Sequence, residues 1–495
     1  MHKLTLLLLL PLIGAVIIAA LPAQQHKLIR GVAIFAALSA MLQSWLLYLA
    51  FDTRSAAFQF AEHTEWNTRL GTSFSLAVDG ISLPMILLAT LLSIIAIIAS
   101  TSIKKHVKGY YLLILLLETA MLGVFMARDW SLFYLFWEMT LIPLFFLING
   151  WGGEKRHTAA LNFVLYTMGG SVFMLISLLM LFDVTPEHSF AMNDMLNSAR
   201  ALPEETQLWI FLGLLIGFGV KMPIFPLHGW LSLAHVQAPS PVSILLSGIL
   251  LKMGAYGLIR ASSMLPAAVI ELQPFLASIG MFSLIYGGLL AWRQSDLKCM
   301  IAYSSVAHMG VVLLGIATLN LSGLTGAVMQ MMAHGLVAGA LFLLIGLLYE
   351  RTNSRDINYY SSMVRVTPRF AFFTTLTFIA AVGFPGTIGF IAELHVLIGG
   401  YMRWQWLVVL LSIGVLISAV YSIRTVGRLF TGPVRAEMQN IKDLRTHEML
   451  TVAVLAFAFM GLGFYPAPAL DLISASVDDL SHVFIENING HVINE

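Results

Sequence analysis

The sequence predicts an all-α polytopic membrane protein with about fourteen transmembrane helices. Hydrophobic residues make up 58% of its 495 residues and charged residues only 11%, whereas about 25% are charged in an ordinary soluble protein. Apolar runs of about 20 residues, long enough to cross a bilayer, recur along the chain. No long polar linker separates them. A surface with so few charges must face lipid.

The charge balance and the absence of known motifs exclude several classes of function. With 27 basic and 26 acidic residues, the net charge of +1 leaves no basic excess for nucleic acid. The one cysteine, Cys299, excludes an intramolecular disulfide and an iron–sulfur cluster held by four local thiolates. The chain has no Walker loop, dinucleotide-binding fingerprint or zinc-protease motif. We therefore expect no cofactor and no metal site in this chain.

The predicted helices follow the apolar runs, and the helical stretches near 207–240 and 369–398 are the least regular. The first run could instead be a cleaved signal peptide, but about 18 apolar residues exceed the usual signal core. The predicted helices are 4–21, 30–50, 80–101, 110–127, 130–149, 158–183, 207–225, 240–262, 270–291, 299–317, 323–349, 369–398, 405–423 and 447–468.

The distribution of Lys and Arg predicts the orientation. If the N-terminus lies outside, the inside loops hold 18 of these residues and the outside loops hold 7, as the positive-inside rule requires. An even number of helices then places both termini outside. The tail from Asp471 to Glu495 has no Lys or Arg, which fits the outer side.

Seven ionisable residues lie inside apolar runs and are not explained by the loops. A charged residue at a helix centre costs about 2.5–3.5 kcal/mol on insertion scales. They could be structural ion pairs, or they could carry protons, since burial moves the pKa of lysine and carboxyl groups toward neutrality. A Glu138–Lys221 pair would hold its charges when close and release a proton when separated. The residues are Glu118, Glu138, Lys221, Lys252, His308, His334 and Glu393.

Two helix breaks accompany these charges. Pro223 and Pro226 follow Lys221, and the Gly383–Gly386 segment precedes Glu393 by seven residues. Proline removes a backbone donor, and irregular backbone at membrane depth needs partners from protein or water. Interrupted helices beside ionisable groups in two halves are typical of inverted-repeat transporters. We predict an N-terminal unit 1–109 (helices 1–3), inverted five-helix repeats over 110–262 (helices 4–8) and 263–430 (helices 9–13), and a C-terminal unit 431–495.

Other polar residues leave alternatives open. His228 and His235 flank the first break and could be structural, line a pathway mouth or relay protons. His308 and His334 could face each other, but haem ligation is disfavoured because a second matched pair is missing. We interpret Asp79 and Asp129 as helix caps, whereas Glu118 could be a local packing partner.

Several stretches resemble the antiporter-like subunits of respiratory complex I, the proton-pumping NADH–quinone oxidoreductase. The resemblance covers nearly the whole chain and is greatest to the M type, the homologue of mitochondrial chain 4. GFIAEL at 389–394 carries glutamate as the M type does, where the L and N types have lysine. The other matching stretches are VDGIS at 78–82, FYLFWEMTLIPLFFLINGWGG at 133–153, KMPIFPLHGW at 221–230, QAP at 237–239, LLKMGAYGLIR at 250–260, DLKCMIAYSSVAHMG at 296–310, MAHGL at 332–336 and GFYPAP at 463–468.

The resemblance implies roles for the matching residues. Glu138 and Lys221 would be the input pair, Lys252 and His308 the central connection, His334 a further relay member and Glu393 the terminal proton site. The chain departs from the family at Ser232-Leu233, where a proline and an acidic residue are usual. This departure affects the shape of the channel mouth.

The resemblance also implies a setting. The chain would be a multi-pass subunit of a bacterial inner membrane, with both termini periplasmic and L- and N-type subunits on either side. FMN, iron–sulfur clusters and quinone would belong to partner subunits. The alternatives are a subunit of an Mrp-type cation/proton antiporter or of a membrane-bound hydrogenase. A structural membrane anchor is a third possibility, but it leaves the buried charges unexplained.

Overall fold

A computed structural model describes residues 2–494, which fold into a bundle of long helices. The helices of the first half are α1 (Lys3–Ala20), α2 (His26–Leu49), α3 (Ser82–Ala99), α4 (Val107–Met126), α5 (Trp130–Met139), α6 (Leu141–Trp151), α7 (Arg156–Val184), α8 (Met192–Arg200), α9 (Glu204–Lys221), α10 (Leu231–Gln237), α11 (Ser240–Leu245) and α12 (Leu251–Met264). Those of the second half are α13 (Pro266–Glu271), α14 (Gln273–Arg293), α15 (Leu297–Ala317), α16 (Leu321–Thr352), α17 (Met363–Val366), α18 (Pro368–Ala381), α19 (Ile388–Trp404), α20 (Leu407–Phe430), α21 (Thr446–Phe464) and α22 (Ala467–Asn494).

Twelve stretches of the described chain are long and apolar enough to cross a membrane. The other two predicted helices, 207–225 and 369–398, are broken. Within the first, α9 ends at Lys221, and α10 follows the break outside the predicted range; the second divides into α18 and α19. Gly383 and Gly386, with φ of +74° and +94°, lie between α18 and α19. The multi-span helical class and both breaks are thus confirmed, while the inverted symmetry and the unit boundaries stay predictions.

A β-hairpin is the departure from an all-α protein. Strands β1 (Gln59–Asn67) and β2 (Thr72–Val78) pair antiparallel within the stretch 52–78, which the sequence analysis treated only as polar. The hairpin also caps a helix, because the Glu62 carboxylate accepts the Leu4 and Thr5 N–H groups at 2.7 and 3.0 Å. Free N–H groups at the start of a helix favour such an acceptor.

One end of the bundle gathers around this hairpin, and we call it the hairpin end. The Arg128 N–H between α4 and α5 donates to the Ser75 carbonyl of β2 at 2.8 Å. Helix α22 reaches the same end, where the Ser476 hydroxyl accepts the Gly80 N–H at 2.9 Å. The sequence analysis assigned no helix to this tail.

Both predicted caps are confirmed at the hairpin end. Asp79 accepts the N–H groups of Ile81 and Ser82, and Asp129 those of Ser131 and Leu132, at 2.9 to 3.2 Å. Asp79 does more than cap, because its Oδ1 also lies 2.7 Å from an Arg260 guanidinium nitrogen. The orientation analysis counted Arg260 as a loop cation, but its side chain is largely buried in this ion pair.

Candidate functional site

Lys221, the last residue of α9, is buried at the first break. Its Nζ donates to the Thr140 hydroxyl at 2.8 Å and to the Trp137 carbonyl at 3.3 Å, and it lies 3.9 Å from the centre of the Trp137 ring. The span is interrupted at Thr140, between α5 and α6, because Pro143 offers no N–H to the preceding turn. A continuous helix over 130–149 was expected, so this interruption is a correction.

Side chains satisfy the backbone of the first break. Trp230 Nε1 donates to the Val220 carbonyl at 2.9 Å, and the Phe225 N–H donates to the Ser283 hydroxyl at 3.0 Å. Backbone groups freed at membrane depth need such partners inside the protein. The break is therefore an ordered element that holds Lys221 in a defined place.

The predicted input pair, Glu138 and Lys221, is close without being in contact. The two groups interact electrostatically, but no ion pair within 4.0 Å joins them among the residues described. Glu138 Oε1 is buried and has no hydrogen-bond partner within residues 2–494. Tyr134, one turn earlier, interacts with this carboxylate. The pair therefore stands in the separated arrangement of the expected switch.

Lys252 follows a π-helical turn over Leu246–Leu250 that the sequence analysis did not predict. Its Nζ donates to the Ser247 carbonyl in that turn at 2.6 Å and lies 2.5 Å from Nδ1 of His334 on α16. π turns are rare and frequently lie at functional sites. Here the widened turn supplies one of the two partners of a fully buried ammonium group.

The helices that carry the two lysines pack closely at Gly254 of α12. A Cβ on Gly254 would lie 2.6 Å from the Phe218 carbonyl oxygen and 2.6 Å from the Met222 nitrogen. Small residues permit such close approach between membrane helices. The last turn of α9 thus lies directly against α12, although no hydrogen bond described for this chain joins Lys221 to Lys252.

His334 and His308 follow Lys252 in a line of buried ionisable side chains. Their ring centroids are 5.4 Å apart. His308 Nδ1 lies 3.1 Å from Nε2 of Gln330 and 4.0 Å from Oε1 of Glu393. The expected order placed His308 next to Lys252. In the structure His334 is the residue bonded to Lys252, because α16 packs against the π turn, and His308 is the residue beside Glu393.

A small cavity of about 20 Å³ lies between His308, Gln330, His334 and Glu393. A volume above about 10–15 Å³ accommodates one water molecule if two or more polar partners surround it. Within the described chain, His334 Nε2 and Gln330 Oε1 are buried without a hydrogen-bond partner. The cavity therefore has both the size and the polar lining for one bridging water.

Glu393 lies in the second turn of α19, just after the second break, and its side chain is 13% exposed. Its carboxylate packs against Gly383, whose φ of +74° suits glycine. The break thus gives the carboxylate its place beside the backbone. Lys252, His334, His308 and Glu393 form a continuous buried row, while Lys221 and Glu138 stand at its start.

Comparisons with known proteins agree with this arrangement. The family model described as "NADH:quinone oxidoreductase/Mrp antiporter, TM" matches residues 127–418. The "NAD(P)H-quinone oxidoreductase chain 4 2" of Thermosynechococcus vestitus is 40% identical over 478 residues, covering 94% of this chain and 89% of the relative. The "NADH-quinone oxidoreductase subunit M" of Rickettsia conorii is 36% identical, covering 95% and 97%.

This chain belongs to the NADH:quinone oxidoreductase/Mrp antiporter transmembrane family. The resemblance drawn from the sequence is confirmed. A chain of the solved "Respiratory complex I from Thermus thermophilus with bound NADH" is similar, with a TM-score of 0.89 and 29% identity over 97% of this chain and 99% of that one. A chain of the "Mrp complex from Dietzia sp. DQ12-45-1b" shares the fold, with a TM-score of 0.84 and 22% identity over 98% and 55%.

A further buried cation in this family member escaped the sequence analysis. Lys298 was counted as an inside-loop residue, but it is 3% exposed and its Nζ donates to the Ala238 carbonyl at 2.8 Å. Arg355, paired with Asp296 at 3.2 Å, donates to the neighbouring Val236 carbonyl at 2.5 Å. Both cations thus bind the C-terminal end of α10, where the helix dipole favours positive charge.

The sequence left several roles open for His235, His228 and Glu118, and all three are at least partly buried. His235 is fully buried and stacks on Phe342 with centroids 4.6 Å apart, and neither ring nitrogen has a hydrogen-bond partner in the described chain. His228 packs against Tyr286 at the first break. Glu118 is fully buried, and both its carboxylate oxygens lack a partner within the same residues. These three residues lie outside the row.

Proposed function

We propose that this chain is an M-type proton-translocating subunit of the membrane arm of NADH–quinone oxidoreductase, respiratory complex I. NADH oxidation and quinone reduction elsewhere in the complex would drive it. The observation that carries the proposal is the buried row from Lys252 to Glu393. Four ionisable side chains succeed one another: Lys252 Nζ lies 2.5 Å from His334 Nδ1, the rings of His334 and His308 have centroids 5.4 Å apart, and His308 Nδ1 lies 4.0 Å from Glu393 Oε1. A structural anchor gives no reason for so many costly groups in one line.

The chemistry of the row is proton transfer through hydrogen bonds. The Lys252 ammonium can pass a proton to Nδ1 of His334. The ring can then release a proton from Nε2, which has no hydrogen-bond partner in the described chain. A water in the small cavity would carry the proton between His334, His308 and Glu393. Imidazole suits such a relay because its two nitrogens accept and donate separately.

Glu138 would control entry to the row. In the separated arrangement, Thr140 and Trp137 hold the Lys221 ammonium, and Glu138 Oε1 has no hydrogen-bond partner in the described chain. Movement of Glu138 into contact would stabilise the charge on Lys221, and withdrawal would release a proton toward Lys252. The charge on Lys221 thereby becomes a function of geometry. Water would link Lys221 to Lys252.

The proposal also assigns the cofactors, the neighbouring subunits and the membrane orientation of the chain. The chain carries no redox centre of its own, and FMN, iron–sulfur clusters and quinone reside in partner subunits. L- and N-type subunits lie on either side within a bacterial inner membrane. Both termini, the hairpin end and α22 face the periplasm. The solved complex that contains a similar chain at 29% identity supports this setting.

An Mrp-type antiporter or membrane-bound hydrogenase subunit is the alternative. The Mrp chain shares the fold, but this chain covers only 55% of it, compared with 99% of the Thermus chain. The full-length match favours the complex I subunit. Sodium transport by a complex without an NADH-oxidising arm would favour the alternative instead.

The test compares Lys252→Met with Lys104→Met in the intact complex reconstituted into liposomes. Lys252 is fully buried beside His334, whereas Lys104 is exposed between α3 and α4. Methionine keeps the unbranched side chain and removes the charge. We expect at least a tenfold loss of NADH-driven proton uptake in Lys252→Met and parent values in Lys104→Met. Normal pumping by an assembled Lys252→Met complex would refute the proposal.

A further inference from the structure

A second polar cavity lies at the hairpin end, about two helical turns beyond Lys252 along α12. It has a volume of about 130 Å³ and is enclosed by the ends of α4, α5 and α12 together with α8, α22 and the residues that precede β1. Its lining carries three guanidinium groups against two carboxylates, an excess of one positive charge. These are Arg128, Arg200, Arg260, Asp79 and Asp479.

The excess charge belongs to Arg128, whereas Arg200 interacts electrostatically with Asp479. Asp79 neutralises Arg260 at 2.7 Å. Arg128 instead donates to the Asn193 side-chain oxygen at 2.7 Å, and its other terminal nitrogen meets only the Met192 sulfur at 3.7 Å. Among the residues described, no carboxylate lies within ion-pair distance of Arg128. Burial and the Arg260 charge lower the pKa of Arg128 to about 10.

The unsatisfied polar atoms of the cavity are all donors. Arg260 Nε and Trp130 Nε1 are buried without a hydrogen-bond partner in the described chain. Both groups can only donate. No buried side-chain acceptor that lines this cavity is left unpaired in the same part of the chain. A ligand that satisfies these atoms must therefore supply acceptor oxygens.

One aromatic ring positions the two guanidinium groups. The centre of the Phe58 ring lies 3.3 Å from Arg128 Cζ and 5.1 Å from Arg260 Cζ. Such cation–π contacts hold the planar groups while leaving their edges free to donate. Planar guanidinium groups match the geometry of phosphate oxygens and bind them with paired hydrogen bonds.

We propose that this cavity binds a phosphate group, either as free phosphate or as the headgroup of an anionic phospholipid. Arg128, Arg260 Nε and Trp130 Nε1 would donate to its oxygens. The volume of about 130 Å³ is several times the roughly 10–15 Å³ that one water needs, which accommodates a tetrahedral oxyanion. The added negative charge balances the excess positive charge of the lining.

The test uses the purified intact complex and compares Arg128→Gln with Arg69→Gln. Gln retains hydrogen-bonding capacity but removes the charge, and Arg69 is an exposed arginine at the tip of the same hairpin. In one arm, equilibrium dialysis of lipid-depleted complex measures radiolabelled inorganic phosphate. In the other, complex equilibrated in phosphatidylcholine micelles doped with phosphatidylglycerol is assayed for retained phosphatidylglycerol.

We expect Arg128→Gln to bind the probe at least tenfold more weakly, so that one equivalent per complex is lost, because a charge-assisted hydrogen bond is removed. Arg69→Gln should match the parent. Loss confined to the dialysis arm identifies free phosphate, and loss confined to the micelle arm identifies a headgroup. Equal binding by parent and Arg128→Gln in both arms would overturn the proposal and leave water as the content of the cavity.

A second measurement covers the case in which Arg128→Gln fails to assemble. Arg128→Lys keeps the charge and should retain part of the binding. A density map of the parent complex, prepared with the probe that bound, should show a feature within hydrogen-bond distance of Arg128 and Arg260 Nε. Absence of that feature at saturating probe would equally overturn the proposal.

Discussion

The Glu393 carboxylate occupies the space that a side chain on Gly383 would fill. A Cβ on Gly383 would lie 2.5 Å from Oε2 of Glu393, a separation that real side chains do not tolerate. The second helix break is thus more than an interruption of backbone hydrogen bonds. It is the surface against which the last ionisable group of the row is positioned.

Gly383→Ala should therefore displace Glu393. The positive φ adds strain of about 1–3 kcal/mol. We expect a lower unfolding temperature of the complex and a loss of proton pumping greater than the loss of assembly. Gly461→Ala is the control, because nothing lies within 4 Å of a Cβ at that helical position. Equal pumping by the two variants would show that the contact is unimportant.

Glu393→Gln should strongly impair coupled turnover. Gln keeps the shape and the hydrogen-bonding ends but cannot carry the proton. Glu393→Lys should retain a measurable part, since an amine can also bind and release a proton, although His308, 4.0 Å from the carboxylate, would oppose the added charge whenever it is protonated. Initial rates of NADH-driven acidification measure both. Full activity in the Gln variant would reduce Glu393 to a packing residue.

Glu138→Ala should abolish most pumping while the complex still assembles, because Lys221 would lose the group that stabilises its charge. Lys221→Ala should act in the same direction. Glu138→Asp should be milder, since the charge survives with a shorter reach. Glu154→Ala, an exposed carboxylate between α6 and α7, is the matched control. Parent-level pumping in Glu138→Ala would contradict the entry role.

Labelling should establish the orientation. With Cys299 replaced by Ser, we expect Asn358→Cys to react with an impermeant maleimide only from the cytoplasm and Glu187→Cys only from the periplasm. Both positions are exposed and lie at opposite ends of the bundle by the succession of helices. The reverse pattern would show that the distribution of Lys and Arg does not determine the topology of this chain.

Asp79→Asn should destabilise the hairpin end by about 3–5 kcal/mol, the cost of leaving one buried partner uncompensated. Burial alone would raise the pKa of Asp79, but the Arg260 charge and the hydrogen bonds of Ser82 outweigh it and lower that pKa. The ion pair therefore stabilises the fold at pH values above about 3.9, which is the pKa of aspartate in an unfolded chain. The difference between parent and variant unfolding temperatures should be constant near neutrality and shrink as the pH falls through that value. A difference independent of pH down to 3 would contradict this account.

The sequence predicted those features whose cause is local. Pro223 and the glycine pair at 383 and 386 break helices wherever they lie, and an ionisable residue in an apolar run must be buried. Whether His334 or His308 contacts Lys252 depends on which helix packs against the π turn. A local stretch of sequence does not determine this packing. Lys298 was misplaced for the same reason, since it lies next to a loop and is buried only by the end of α10.

The hairpin could have been found from its own stretch. Residues 59–78 contain two short runs rich in β-forming side chains around Asn67 and Gly71, a pattern typical of a hairpin. Its strands are half polar and therefore contain no long apolar run. The interruption at Thr140 likewise had a signal in Pro143, which the unbroken hydrophobicity of that run concealed.

Helix α15 contacts the surroundings of both helix breaks through two of its own side chains. In its first turn, Lys298 donates a hydrogen bond to the end of α10. His308, ten residues farther along the same helix, lies beside Glu393. At 1.5 Å per residue these two points are about 15 Å apart. We therefore expect a tilt of α10 at the first break to move α15 and to change the distance between His308 and Glu393.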